Sequence, residues 1–446
     1  MRETIFALAT PPGRSALAVV RLSGASVAQA LWALGVKPSA PRRASLRKLS
    51  ARHGEAVDQA LVIRFPAPHS YTGEDMAELH LHGGEAVVAA ICEFLQENGL
   101  RPAEPGEMTR RAFENGKLDL AQAEAVADLI DAQTSAQARQ AVGQLGGALG
   151  RRHEAWRRDL LATLARLEAA IDFADEDLPA AIEEEAEPPL RRLMDEIDLA
   201  LADQSRGQRI REGYRIAVIG APNSGKSSLF NALLGRDAAI VAPEPGSTRD
   251  VIEANLDLGA YRAVLADMAG LRPASNAVEK EGVRRARVWA QEADVRLWVV
   301  DQGENAGIWQ EGACLSKEED LCLLNKSDLP SGADAAAAAC CAHRLRAEVM
   351  RASVLGEGAA SVRTWLEWRV RRDLSGGDFP AITRIRHARI LQEAKEHLAA
   401  AHADLRRPEL ASEGVRLAAR ALGRISGEVG AEEVLGEIFS QFCIGK

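Results

Sequence analysis

Short apolar runs of the strand type, each closed by a turn, occupy the first 118 residues. Ile5-Phe6-Ala7-Leu8 and Ala16-Leu17-Ala18-Val19-Val20 flank Pro11-Pro12-Gly13, and Leu61-Val62-Ile63-Arg64-Phe65 is a third run. This mixture predicts an α+β domain over 1–118. From residue 119 the apolar period lengthens to that of a helix. Trp156, Leu160, Leu164, Leu167 and Ile171 form one stripe. Leu190, Leu193, Ile197 and Leu201 form a second, after an expected break at Pro188-Pro189. Such stripes need partner helices to cover them.

At Tyr214 the pattern changes again. Ile216-Ala217-Val218-Ile219, Val264-Leu265, Val295 to Val300 and Leu321 to Leu324 are strand-like and alternate with helical stretches. That alternation predicts a parallel sheet wrapped by helices over 211–373. Ala335 to Cys341 is Ala-rich and reads as a helix or a variable loop. Beyond Ser375-Gly376-Gly377 the helical period resumes, with Val415, Ala418, Leu422 and Ile425 on one face and Val434, Leu435, Ile438, Phe439 and Phe442 on another. The economical topology is one helical domain, made of 119–210 and 374–446, split by an inserted α/β domain.

Composition narrows the function classes. The 446 residues are 47% hydrophobic and 27% charged, which excludes full-length disorder. The net charge of −9 excludes a globally basic nucleic-acid binder but leaves local basic clusters open. Six cysteines without a C-x-x-C pair indicate neither a disulfide scaffold nor a zinc ribbon. No apolar run reaches ~18 residues, and the N-terminal one stops at Pro11, too early for a signal peptide. The expectation is a reduced, soluble, cytoplasmic protein with no membrane attachment.

Chemistry enters at Gly220-Ala221-Pro222-Asn223-Ser224-Gly225-Lys226-Ser227, a G-x4-G-K-[ST] loop between an apolar strand and a helix beginning near Ser228. Its glycines let backbone N–H groups face phosphate oxygens, Lys226 reaches the β- and γ-phosphates, and Ser227 ligates Mg²⁺. Asp267-Met268-Ala269-Gly270 follows as D-x-x-G, its Asp serving Mg²⁺ through water and its Gly270 N–H facing the γ-phosphate. Asn325-Lys326-Ser327-Asp328 is N-K-x-D, whose Asp328 accepts from guanine N1–H and the 2-amino group. Adenine has no such donor pair, so a buried carboxylate there discriminates against ATP. The three segments in this order predict GTP and GDP binding. Thr248, in Gly246-Ser247-Thr248-Arg249-Asp250, is the candidate switch hydroxyl, and Ser353 is a candidate for the loop that cradles guanine.

The hydrolytic group is less legible. Leu271 follows D-x-x-G where small signalling GTPases carry a water-orienting Gln. Glu279 is either the replacement or part of a solvated helix start with Lys280 and Glu281, and spacing alone favours the latter. Asn223 either helps coordinate a monovalent cation beside the phosphates or only caps the turn. Two output classes fit the G motifs: a hydrolytic enzyme and a nucleotide-dependent assembly switch.

The chain resembles the MnmE (TrmE) family of tRNA modification GTPases along essentially its whole length. The matching segments are Ala9 to Arg14, Tyr71-Thr72-Gly73-Glu74-Asp75, His82-Gly83-Gly84, Lys117 to Glu124, Pro222 to Ser228, Gly246 to Asp250 and the terminal Phe442-Cys443-Ile444-Gly445-Lys446. The resemblance implies a multidomain α/β and α+β protein: an N-terminal α+β folate-binding and dimerisation domain, then a helical bundle domain interrupted by an inserted Ras-like P-loop GTPase domain. It implies a homodimer, an FAD-binding MnmG-like partner, tRNA as substrate, and K⁺-stimulated hydrolysis. It also implies a tetrahydrofolate cofactor, as the 5-formyl or 5,10-methylene derivative. Carried over by position, Asn223 matches the potassium ligand. Ala242, Glu244 and Ser247 fall in the K-loop, with Ala242 and Glu244 departing from its common residues. Ser227 and Thr248 match the Mg²⁺ ligands, and Glu279 the water-orienting glutamate. Arg21, Glu78, Lys117 and Lys446 match folate contacts, and Cys443 is a thiol of the terminal motif, read first as part of a docked tail.

Overall fold

The computed structural model describes all residues except 1, 38, 51–53, 173–178, 236–239, 242–251, 269–276, 304–309, 355, 377–381, 428–431, 441, 443–444 and 446; within helices and strands it leaves out the side chains of 179–184, 240–241, 277–280, 311, 432–434 and 437. In chain order the elements begin with β1 (Ile5–Leu8), β2 (Ala18–Ser23), α1 (Val27–Ala33), β3 (Ser45–Ser50), β4 (Ala56–Phe65), β5 (Met76–Leu81), α2 (Glu85–Glu97), β6 (Arg101–Pro102) and α3 (Glu107–Glu114). Five helices follow: α4 (Leu120–Asp131), α5 (Ser135–Leu145), α6 (Ala148–Asp172), α7 (Pro179–Ala202) and α8 (Gln204–Glu212). Next come β7 (Tyr214–Gly220), α9 (Lys226–Leu234), β8 (Ile240–Val241), β9 (Ile252–Leu258), β10 (Tyr261–Asp267), α10 (Ala277–Glu292), β11 (Val295–Asp301), α11 (Gln310–Ala313), β12 (Leu321–Asn325), α12 (Ala333–Arg344), β13 (Glu348–Arg351) and α13 (Gly358–Leu374). The chain closes with α14 (Ile385–Ala403), α15 (Pro408–Ser426) and α16 (Glu432–Ser440).

These elements form two compact units, one of residues 1–130, 142–198 and 389–446, the other of 131–141 and 199–388. In the first unit, six strands form one sheet in the order β3-β4-β5-β2-β1-β6, antiparallel except for the β1–β6 pair. Alternation along β2, β4 and β5 sends Val20, Leu22, Val62, Leu79 and Leu81 into one core with Leu31 of α1 and Ile91 and Leu95 of α2. The opposite face carries Arg21 and Glu78, which are paired in register across β2 and β5.

The helical part of this unit corrects two expectations. In α6 the buried positions are Leu149, His153, Trp156, Leu160, Thr163, Leu167 and Ala170, so the stripe turns away from Leu164 and Ile171, which are only half-buried. Spacings of three and four place small Thr163 and Ala170 in the seam, where helices approach closely. α6 packs along α15, which supplies Val415, Ala418, Leu422 and Ile425. The break at Pro188-Pro189 does not occur: α7 runs through both prolines. Buried Ala186, Leu190, Leu193 and Ile197 keep one apolar face continuous on either side of them, and that packing outweighs the lost N–H donors.

In the second unit, seven strands form a sheet in the order β13-β12-β11-β7-β10-β9-β8. β13, β12, β11, β7 and β10 are parallel; β9 is antiparallel to β10, and β8 to β9. Both faces are covered, one by a core with Leu229 and Phe230 of α9 and Leu366 of α13, the other by a core with Ala286 and Ala290 of α10 and Ala335, Ala338 and Ala342 of α12. The Ala-rich tract is therefore a helix whose small residues lie close on the sheet. Double coverage explains why β7, β11 and β12 read as largely apolar runs, interrupted by Arg215 in β7 and Arg296 in β11. Residues 131–141, helical by their pattern, are built into this unit. Ala136 N–H donates to Ala260 O in the β9–β10 turn (3.1 Å), and Gln137 and Gln140 donate to the carbonyls of Arg211 and Gly207 in α8.

Candidate nucleotide site

Parallel strands bring their C-terminal ends to one edge of a sheet, the edge where ligands of such folds collect. β7 ends at Gly220, β10 at Asp267, and β12 at Asn325, which pairs in register with Asp301 at the end of β11. Three segments far apart in sequence thus meet because three strands stop together.

The loop from β7 to α9 is shaped by its glycines. Gly220 has φ +145°, and a Cβ there would lie 2.2 Å from Val299 O. Gly225 has φ +101°, and a Cβ there would lie 2.1 Å from Asn325 Nδ2. Neither position admits a side chain without displacing backbone or the Asn amide. Asn223 also takes a left-handed φ of 62° and is exposed. α9 starts at Lys226 and anchors on Leu229, Phe230 and Leu233, so its unpaired N–H groups face the loop. Lys226 is 7% exposed and its Nζ donates to Ala221 O at 2.6 Å. Ser227 and Ser228 are exposed beside it.

Ser227 Oγ donates to Asp267 Oδ2 at 2.7 Å. Asp267 is 4% exposed, and its Oδ1 has no hydrogen-bond partner among the described residues. A buried carboxylate oxygen left in that condition is costly. A hydroxyl beside a carboxylate with a spare acceptor fits a hydrated Mg²⁺, a hard cation that keeps several waters. Met268 is buried in the α10-side core, which explains an apolar residue within D-x-x-G.

Asn325 does something the motif alone does not state. Its Nδ2 donates to Ser224 O (2.8 Å) and its Oδ1 accepts from Val354 N (3.0 Å), so one buried amide joins the phosphate loop to the 352–354 segment. Ser353 O in turn accepts from the Gly356 and Gly358 amides. Lys326 adopts φ 58°, and Asp328 is exposed at the end of the motif. Hence Asn223, Ser224, Gly225, Lys226, Ser227, Ser228, Asp267, Asn325, Lys326, Asp328 and Ser353 all sit on this one edge or its loops. Ala242, Glu244, Ser247, Thr248 and Gly270 lie outside the described residues. Glu279 falls in α10, but its side chain is not described.

On the first unit, Arg21 Nε donates to Glu78 Oε1 at 2.9 Å, and His80 Nε2 lies 3.1 Å from Glu78 Oε2. Lys117 is exposed and its Nζ donates to Pro68 O. The structure thus pairs Arg21 with Glu78 and gives Lys117 a separate, backbone partner. Gly445 lies against β1, where a Cβ would meet Leu8 O at 2.4 Å; Cys443 and Lys446 beside it are outside the described residues.

Known sequences match the chain along its length. The model of the TrmE N-terminus, described as a GTP-binding protein, matches residues 4–117, and that of the MnmE helical domain matches 120–443. The chain belongs to the MnmE family of tRNA modification GTPases. It is 54% identical to the tRNA modification GTPase MnmE of Caulobacter vibrioides and 53% identical to that of Phenylobacterium zucineum, with 100% of each chain covered in both alignments. The MnmE of Paramagnetospirillum magneticum is 48% identical over the same full coverage. In this MnmE-family chain, the matched N-terminal and helical domains accompany the largely parallel sheet that carries the P-loop. Among the described residues of this MnmE-family chain, no helix is long and apolar enough to cross a membrane.

Proposed function

We propose that this chain hydrolyses GTP to drive tRNA modification, working as a homodimer with an FAD-binding, MnmG-like partner. The product is a carboxymethylaminomethyl or aminomethyl group on C5 of the wobble uridine, and a tetrahydrofolate derivative, 5-formyl or 5,10-methylene, supplies the one-carbon unit. The observation that carries the reading is the meeting of Lys226, Ser227, Asp267 and Asn325–Asp328 at one strand edge, in a chain of this family. The domain division behind it is 1–118, 119–210, 211–373 and 374–446, and the setting is the cytoplasm.

Each residue then has a task. Lys226 exchanges the Ala221 carbonyl for β- and γ-phosphate oxygens, and the loop amides from Asn223 to Ser228 bind the same phosphates. Ser227 and Thr248 hold Mg²⁺, with Asp267 accepting from its water; the ion offsets charge that develops on the phosphates. Asp328 accepts from guanine, and the Ser353 segment lines the base pocket. Asn223, with Ala242, Glu244 and Ser247, holds K⁺ beside the phosphates. Glu279 orients a water whose oxygen bonds to the γ-phosphorus as the bond to the β,γ-bridging oxygen breaks, leaving GDP and inorganic phosphate. Gly270 N–H faces the γ-phosphate and couples its loss to the switch. In the other unit, the carboxylate of Glu78 suits the amidine-like edge of a pterin. Arg21, Lys117 and Lys446 suit the glutamate tail. Gly445 packed against β1 supports a docked tail for Cys443.

In cells lacking the chain, mass spectrometry of tRNA nucleosides is expected to show wobble uridines without the C5 substituent. The unaltered gene restores it and Lys226→Ala does not. Hydrolysis by the purified protein is expected to be faster in KCl than in NaCl. Unchanged nucleosides overturn the tRNA assignment, and equal rates overturn the K⁺ assignment.

A further inference from the structure

Asp301, the last residue of β11, and Gln302, which follows it, belong to none of the motifs, yet they grip the segment from Asn325 to Gly332 at several points. Asp301 Oδ2 lies 2.5 Å from Lys326 Nζ, while its Oδ1 accepts from Gly303 N at 3.0 Å. The Asp301 side chain is 13% exposed against 36% for Lys326, so the carboxylate is the buried, fixed end of the pair. Gln302 N–H donates to Asn325 O (2.9 Å), its Nε2 to Leu329 O (3.0 Å), and its own carbonyl accepts from Gly332 N (2.8 Å). Gln302 is 5% exposed. Between these anchors Lys326 holds a left-handed φ of 58°, a conformation that a non-glycine residue keeps only when its surroundings enforce it.

We propose that Asp301 is a positioning residue for guanine recognition. Its carboxylate pins Lys326 in the left-handed turn, and that turn presents Asp328 to the base. Gln302 holds the far side of the same loop. The inference rests on reading Asn325–Asp328 as the guanine-binding segment, and extends it to a residue outside that motif. Since, among the described residues, the Asp301 carboxylate bonds to Lys326 and Gly303 and to no group of the phosphate loop, GDP and GTP depend on it alike. Hydrogen bonds to charged groups carry enough free energy for a clear effect on affinity.

Asp301→Asn keeps the shape and the acceptor for Gly303 but removes the charge that holds Lys326. In the full-length chain, titration with fluorescent GDP and a fluorescent, slowly hydrolysed GTP analogue is expected to show both weakened by the same factor, about tenfold. The KM for GTP rises in step, while kcat at saturation stays within about twofold. In a Lys326→Met background, where the bridge is already gone, Asp301→Asn is expected to add little. Should Asp301→Asn fold poorly, Asp301→Ser, which also removes the charge opposite Lys326 while keeping an oxygen near Gly303 N, tests the same bridge, with the same expected split. An unaltered affinity, a loss that differs between GDP and the GTP analogue, a fall in kcat at unchanged KM, or full additivity in the Lys326→Met background overturns the proposal. Failure of the unaltered chain to bind GDP instead overturns the guanine-site reading beneath it.

Discussion

Asn325 shows what a motif conceals. The tetrapeptide Asn325-Lys326-Ser327-Asp328 is legible as a guanine signature. The work of its first residue is not, since its partners are backbone groups of Ser224 and Val354 that only the fold brings near. Glu107, in the first unit, is a similar case. It reads as an ordinary charge at a helix start, yet it accepts from Arg101, Arg111 and the Glu104 amide. Burial by itself would raise its pKa. The hydrogen bonds from Arg101, the Glu104 amide and Arg111 outweigh burial and hold it below the usual glutamate value. A carboxylate depressed in this way stabilises the fold above the unfolded-state pKa, and the contribution disappears as pH falls through the folded-state value. Glu107→Gln is therefore expected to lower stability by about 1–2 kcal/mol at pH 7. The deficit closes on acidification below about pH 4. Urea melts at both pH values check this; a deficit that persists in acid contradicts it.

Among the elements, strands were more legible than helix faces. Val295–Val300 and Leu321–Leu324 lie within β11 and β12 because strands buried on both faces are largely apolar; the exception, Arg296, is buried in an ion pair with Asp320. The α6 stripe was placed partly on the wrong residues, because an apolar reading weights Leu164 and Ile171 above Thr163 and Ala170. Close packing against α15 favours the smaller pair. The expected stop at Pro188-Pro189 failed for a related reason: tertiary burial of Ala186, Leu190, Leu193 and Ile197 overrides the local penalty. The penalty still exists. Pro188 is exposed, so Pro188→Ala restores a helical N–H donor and removes a ring clash with no loss of packing. Thermal melts are expected to show a gain of roughly 1–3 kcal/mol. An unchanged or lower midpoint contradicts this account of α7.

At the scale of the whole molecule, the sequence signalled that the chain leaves one unit, builds another and returns. Changes of hydrophobic period mark those points because a parallel α/β sheet and a helix bundle bury their apolar residues with different spacing. It did not signal that 131–141 joins the second unit, because the Ala136 N–H and the side-chain amides of Gln137 and Gln140 attach to backbone carbonyls, which leave no mark in a sequence pattern. The nucleotide site was the most legible feature, since glycine spacing and the Lys, Asp and Asn positions follow directly from phosphate and guanine geometry. The residues that brace it, Asp301 and Gln302, carry no pattern of their own. The central claim is that the loop before α9 binds a guanine nucleotide. Its most direct test is titration of the purified chain with a fluorescent GDP, followed by competition. Saturable binding is predicted, with displacement by GTP but not by equal ATP, and loss of binding in Lys226→Ala. Displacement by ATP as readily as by GTP, or full binding by Lys226→Ala, would contradict it.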